Sequence, residues 1–246
     1  MALEQPAWPL PAGVTALTST RDGGVSAAPF ASLNLARHVG DEPAAVDENR
    51  ARLAAALPAG ASVRWLSQVH GTRVLDDGGD ASQPADAAVS RRPGIACAVL
   101  TADCLPVLLC SADGAVVAAA HAGWRGLAEG VLEATIAAMA VDPAELSAWL
   151  GPAIGPRAFE VGPEVREAFA AQWPGTRAAL DAAFRPGRDD RLHADLHALA
   201  GARLAAAGVR ACYRDARCTA SDPGRFYSYR RDGETGRMVS LILIKP

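Results

Sequence analysis

The sequence predicts an α/β or α+β fold built on mixed β-sheet, with residues 1–246 forming one domain. Apolar runs of strand length alternate with stretches whose apolar residues recur every three or four positions, so strands and helices interleave along the chain. Two turn signals, Ala112-Asp113-Gly114 and the DGETGR of 232–237, lie between strand-like runs and read as tight hairpins, which argues against a purely parallel sheet. A chain of 246 residues that is 50% hydrophobic can bury a sizeable core, and no repeat period is visible in it.

Taken in order, 14–20 is a short strand closed by the turn Arg21-Asp22-Gly23-Gly24, and 26–39 is irregular; Asn34 and His38 there either line a ligand site or belong to a solvated loop stapled by Asn hydrogen bonds. Asp41 reads as a helix N-cap with Pro43 in the first turn, and Val46, Arg50, Leu53 and Leu57 share the following helix's inner face. Arg50 has no acid at helical spacing on that stripe, so it either snorkels to the surface or meets an anion, for which phosphate is the natural candidate. Residues 63–69 (VRWLSQV) predict a strand, His70-Gly71 a turn and 72–75 a returning strand, whereas the Asp-, Gly-, Ser- and Pro-rich 76–92 reads as a mobile connection without assigned chemistry.

The runs 95–100, 105–110 and 115–120 predict three buried strands, and Leu127, Val131, Thr135 and Met139 a helix after them. A strand at 146–150 leads through the rigid loop GPAIGP to Glu160, which is either a proton-transfer group or a structural carboxylate. Pro163 starts a helix with Val165, Ala168 and Phe169 inward, and 173–191 reads as a surface insertion. His193 and His197 sit at metal-ligand spacing, but the acid of a zinc-protease helix is missing, so an ordinary helix ending at Gly208 is expected. A strand at 209–213 and a closing hairpin of 226–231 with 238–244 complete the chain; of Arg230 and Arg231, one is structural and the other positioned for phosphate. Cys97, Cys110 and Cys212 are core thiols and Cys218 a packed one.

The chemistry concentrates on Cys104 and His121. Cys104 closes the corner between two strands, and antiparallel return brings His121 beside it at the head of a helix, whose N-terminus favours anions and lowers a thiol pKa. His70, at its own turn, is a third residue of ligand type. One Cys and two His suit zinc, and three protein ligands leave an open position. On residue chemistry alone the alternative stands open: a Cys acting as a small hydrophobe and two histidines hydrogen-bonded at turns.

A formal net charge of −3 without a basic stripe disfavours nucleic acid. Five cysteines spread along the chain fit a reducing compartment better than a disulfide framework, and neither a signal peptide nor a membrane span is apparent, so a cytoplasmic protein is expected.

The blocks LSQVHGTRV, LTADCLPVLL and VVAAAHAGWRGLAEGVLEATIAAM, together with TRDGGVS, SLNL, HVGD, ENR, LGPAIG and FYSYRRDGETGRM, resemble in order the signatures of the YfiH family, also called laccase-domain or polyphenol-oxidase-like. The resemblance implies stacked mixed sheets flanked by helices, and one zinc ion held by His70, Cys104 and His121. It also implies phosphorolysis of purine nucleosides (adenosine, inosine, guanosine, methylthioadenosine) with adenosine deamination, and it favours a site role for Asn34. Asp103 or Glu160 would move protons in deamination, and Arg50 and Arg230 would hold phosphate. The family pattern places cysteines where this chain has Arg157 and Ala158. Two other enzyme readings follow from the resemblance. One is a hydrolase or amidase acting on peptidoglycan precursors with Cys104 as nucleophile; the other is copper oxidation of phenols, disfavoured because five histidines without a His-X-His pair cannot build a multicopper site. A monomer or weak homodimer is expected.

Overall fold

A computed structural model describes residues 3–246. Its two large mixed sheets stack face to face, with strands numbered along the chain. The five-stranded sheet has the order β1 (Leu3–Glu4), β2 (Val14–Ser19), β14 (Met238–Ile244), β6 (Ile95–Thr101) and β3 (Ser62–Arg64), antiparallel except between β3 and β6. The six-stranded sheet has the order β13 (Ala211–Arg214), β9 (Leu146–Leu150), β7 (Leu105–Ser111), β8 (Val117–Ala122), β5 (Ala87–Ser90) and β4 (Val74–Leu75), with parallel pairs at both edges. A small antiparallel sheet joins β10 (Glu160–Val161), β12 (Leu192–Ala194) and β11 (Phe184–Pro186).

Continuous apolar runs, not alternating ones, mark the central strands because both of their faces are covered. On β7, Leu108 and Cys110 face the layer between the sheets with Val99, Trp149 and Ile242, while Leu105, Val107 and Leu109 face the helices. Helix α1 (Pro43–Ala55) covers the five-stranded sheet through Leu53, against Leu35, Ala98 and Leu241. Helices α2 (Trp124–Glu129), α3 (Val131–Met139), α4 (Pro163–Ala171), α5 (Arg177–Ala182) and α6 (Leu196–Ala206) cover the six-stranded one. A single turn, α7 (Tyr229–Asp232), lies beside the site. No helix of the described residues is long and apolar enough to cross a membrane.

Several elements differ from expectation. The helix after His121 breaks at Gly130, whose φ of 100° separates α2 from α3. Asp41 is not the N-cap: its carboxylate accepts from Ser26 Oγ (2.6 Å), Asn34 Nδ2 (2.9 Å) and Glu42 N (2.8 Å), and Glu42 holds the cap position. The strand foreseen over 63–69 stops at Arg64. Past it, the Gln68 amide takes over the edge of β6, donating to Leu100 O and accepting from Leu100 N, both at 2.8 Å. The stretch 72–75 pairs parallel with β5 and so does not return on 63–69.

The closing hairpin does not form either. Tyr227 is buried with its hydroxyl donating to Phe30 O (2.6 Å), Ser228 caps α7, and β14 pairs with β2 and β6. The 173–191 stretch reaches the core, because Leu180 and Phe184 are buried and Phe169 packs edge-on against Trp173 and Phe184. His193 lies in β12 and His197 in α6, which Asp195 caps, so the two do not share a helix. Cys97 and Cys110 are buried, but Cys212 is exposed on the edge strand β13; Cys218 is half-buried, its Sγ accepting from Gly155 N (3.1 Å).

Candidate metal centre and its cavity

The chain leaves the five-stranded sheet at Thr101 and enters the six-stranded one at Leu105, so residues 102–104 form a corner between sheets. Asp103 takes this corner at φ 93°, a strained value for a residue with a side chain. Three donors hold it there: Thr219 Oγ1 (2.6 Å), Ser228 Oγ (3.0 Å) and Arg230 N (2.7 Å) all point at its carboxylate. Cys104 is thereby fixed at the mouth of the corner. The β7–β8 register sets His121 opposite Pro106, next to Cys104.

His70 is the second strained residue, at φ 63°. Its loop is pinned by the fully buried Asp86, whose carboxylate accepts from Val69 N (3.1 Å), His70 N (2.9 Å) and Gly71 N (2.8 Å). The same carboxylate lies 2.8 Å from His121 Nδ1. Because a carboxylate only accepts, Nδ1 carries a proton whether the ring is charged or neutral, so Nε2 is the nitrogen that gives up its proton when a ligand binds.

His70, Cys104 and His121 bring their ligand atoms within 4.8 Å of one another, and Cys104 Sγ is 3.7 Å from His70 Nε2. Tetrahedral zinc with ordinary Zn–S and Zn–N bonds separates its S and N ligands by roughly 3.6 Å, which the Cys104–His70 pair matches, and one Cys with two His is a donor set that suits the ion. Glycines allow the approach: a Cβ at Gly123 would stand 2.7 Å from His70 Cδ2 and 3.1 Å from Cys104 Sγ. Burial pushes the Cys104 thiol up, but the charge of His121 and hydrogen bonds from both histidines bring it down to about 6. Burial likewise opposes charge on His121, yet the Cys104 thiolate and Asp86 raise it to about 9. The thiolate, the metal-binding form, is thus favoured.

The trio opens on a cavity of about 410 Å³. Arg125, Arg230, Arg237 and His38 line it with Trp124, Phe159 and Tyr229. None of the three arginines forms an ion pair with a carboxylate among the described residues. Arg125 and Arg230 instead stand over the rings of Trp124 (4.4 Å) and Phe159 (5.5 Å).

The remaining expected site residues divide. Asp103 and Arg230 line the cavity; Arg231 does not, being paired with Asp232 and donating to Thr219 O and Phe226 O. Arg50 is spent on Leu35 O (2.9 Å) with its guanidinium over Trp65, outside the cavity lining. Asn34 is wholly buried behind the site and accepts from Arg237 N (3.0 Å). The Glu160 carboxylate accepts from Arg188 N (3.3 Å), and only its main-chain oxygen turns to Arg230. With α2 only six residues long, its dipole adds little at the site.

Sequence reading missed Asp86, Arg125 and Arg237. For Asp86 the one local signal was an acid directly before the small apolar run Ala87-Ala88-Val89. Arg125 sits between the close-packed Trp124 and Gly126, and a Cβ at Gly126 would meet Gly71 O at 2.6 Å.

Residues 15–245 match the family described as multi-copper polyphenol oxidoreductase laccase. The chain is 54% identical over 240 residues to a Pseudomonas aeruginosa protein named purine nucleoside phosphorylase PA4543, covering 98% of this chain and 97% of that one. It is 55% identical over 239 residues to the Escherichia coli protein named purine nucleoside phosphorylase YfiH, covering 96% of each. The crystal structure of Neisseria meningitidis protein NMB0706 superposes with a TM-score of 0.92 at 48% identity, over 99% of both chains.

Proposed function

The chain belongs to the YfiH family, the one described as multi-copper polyphenol oxidoreductase laccase, and from that premise we propose that it is a zinc-dependent purine nucleoside phosphorylase. The observation that carries the reading is one cavity holding both a His-Cys-His trio and three arginines without carboxylate partners. Arg230 Nη1 donates to Ala158 O and Glu160 O and Arg237 Nη1 to Thr235 O and Gly236 O, which leaves their other guanidinium nitrogens to meet an anion, and orthophosphate is the co-substrate of phosphorolysis. Arg125, Arg230 and Arg237 hold it and orient an oxygen toward C1′ of the ribose, where positioning supplies much of the rate. Trp124, Phe159 and Tyr229 provide faces for the purine and exclude water around it. A zinc ion held by His70, Cys104 and His121 would supply Lewis acidity toward a substrate oxygen.

Zinc is preferred over copper on the donor set. Two His and a Cys also suit a single trigonal copper, but a multicopper centre needs several ligand clusters, and the described residues bring together one group of three. Adenosine deamination belongs to the proposal as a lesser activity. Of its two expected proton carriers, Asp103 is filled by three donors and Glu160 lies outside the cavity lining. The lowered Cys104 thiol also favours a second reading, a Cys104-dependent hydrolase or amidase. A cytoplasmic location and a monomer or weak homodimer complete the proposal.

The test incubates purified protein with adenosine, inosine, guanosine and methylthioadenosine, with and without phosphate, and resolves base, ribose phosphate and deaminated product. Free base that appears only with phosphate supports phosphorolysis. Stoichiometric copper with an intense visible absorption band and phenol turnover overturns it, and a covalent adduct at Cys104 in metal-free, active protein favours the hydrolase.

A further inference from the structure

We propose that His38 is the proton relay of phosphorolysis, taking a proton from orthophosphate as it attacks and delivering it to the departing purine. This rests on the phosphorylase reading above.

The step needs such a group. When an oxygen of HPO₄²⁻ bonds to C1′, the C1′–N9 bond breaks and its electron pair moves onto the purine. The phosphate becomes an ester and loses its hydroxyl proton, and the purine must gain one, at N7 or N9, to leave as a neutral base. One proton leaves and one arrives, so no further reactant enters.

The cavity offers few carriers. His70, Cys104 and His121 form the metal trio, and Asp103 is 8% exposed with its carboxylate occupied by Thr219, Ser228 and Arg230 N. Tyr229 lies at the mouth, 64% exposed, and phenols exchange protons poorly near neutral pH. The three lining arginines do not deprotonate. His38 is left, an exposed residue of the loop before α1 that lines the cavity and makes no hydrogen bond through its ring among the described residues.

Its surroundings suit the role. Partial burial, then Arg237 from the segment before β14 and Arg50 from α1, hold the imidazole below its ordinary value, while Cys104, Asp103 and Tyr229 face Arg237. A neutral imidazole accepts the phosphate proton, and the two flanking guanidinium groups make the resulting imidazolium a ready donor. Arg237, one of the arginines that would bind the anion, therefore also helps to set the direction of transfer, with Arg50 adding to it from outside the cavity lining.

The experiment compares wild type and His38→Gln on inosine and on 7-methylinosine, whose purine already carries a positive charge and leaves without a proton. The expected result is a loss of about 100-fold or more on inosine, with 7-methylinosine turned over within about threefold of wild type. Retained turnover of the methylated substrate also shows that the variant is folded and binds phosphate. Equal losses on both substrates, or no loss on inosine, overturn the relay while leaving the phosphorylase reading intact. No free base from wild type with either substrate overturns both.

Discussion

Asp86 Oδ1 stands 2.8 Å from His121 Nδ1 while the same oxygen accepts the backbone N–H of His70 at 2.9 Å. One buried carboxylate thus orients one histidine of the trio through its ring and another through its main chain. Burial pushes this carboxyl up, but hydrogen bonds from His121, Gly71 and Val69 hold it below the usual carboxylate range. It stays ionised at neutral pH and keeps a proton on His121 Nδ1. Asp86→Asn is expected to weaken zinc binding about 10- to 100-fold, read by competition with a chelating dye. Unchanged affinity would show that the two rings are held by packing alone.

Close approach at Gly123 is the next requirement of the trio. A Cβ there would meet His70 Cδ2 at 2.7 Å, a distance that real Cβ atoms do not show, so the imidazole must move. Gly123 itself has φ −61° and ψ 153°, which any residue adopts, so the backbone tolerates alanine. Gly123→Ala is therefore expected to destabilise the fold by only about 1–3 kcal/mol while lowering the bound zinc per chain. Urea unfolding and metal analysis on the same preparation check the two halves of this expectation.

Much of this arrangement was legible in the sequence where a strand end and a ligand residue coincide. Cys104 follows the run 95–101, and His121 closes a run of small residues, so the apolar pattern placed both at strand ends, whereas their selection as ligands with His70 came from the family resemblance. Asp86 could not, because its partners at 69–71 and 121 are distant in sequence and its role exists only after both sheets have formed. Arg50 misled for the opposite reason: its helical spacing was right, but Trp65 and Leu35 O occupied the guanidinium before any anion could. The strand foreseen over 63–69 failed because the Gln68 side chain hydrogen-bonds Leu100 in place of a backbone ladder. At 226–231 the extended pattern was set by burial of Phe226 and Tyr227 in a loop, which alternation cannot distinguish from a strand.

Asp103 separates a proton-transfer role from a strapping one. Its carboxylate ties the corner before Cys104 to Thr219, Ser228 and the backbone of Arg230, at a positive φ that Asp and Asn tolerate best. Asp103→Asn keeps an acceptor for Arg230 N and can donate to a hydroxyl, so phosphorolysis and any deamination should persist within about tenfold. Asp103→Ala leaves three donors unpaired and should lower stability by about 2–4 kcal/mol. Abolished deamination in a fully stable Asp103→Asn protein would restore the proton-transfer role.

Acid sensitivity of the segment that carries Asp86 should be set by Asp77. Its carboxylate accepts from Arg64 Nη2 (2.9 Å), Ser90 Oγ (2.9 Å) and Arg91 N (2.8 Å), and so ties the 76–92 segment to the end of β3. Burial pushes the Asp77 carboxyl up, but these donors hold it below its ordinary value. A carboxyl depressed in the folded state stabilises the protein fully above its unfolded pKa of about 3.9, and the contribution fades as pH falls through the lower folded value. Asp77→Asn is thus expected to cost about 1–2 kcal/mol at neutral pH, with the gap to wild type narrowing once pH drops below about 4. Urea unfolding of both proteins at neutral and acid pH measures it. A gap of constant size would mean that the shape of the side chain, and not its charge, holds this segment in place.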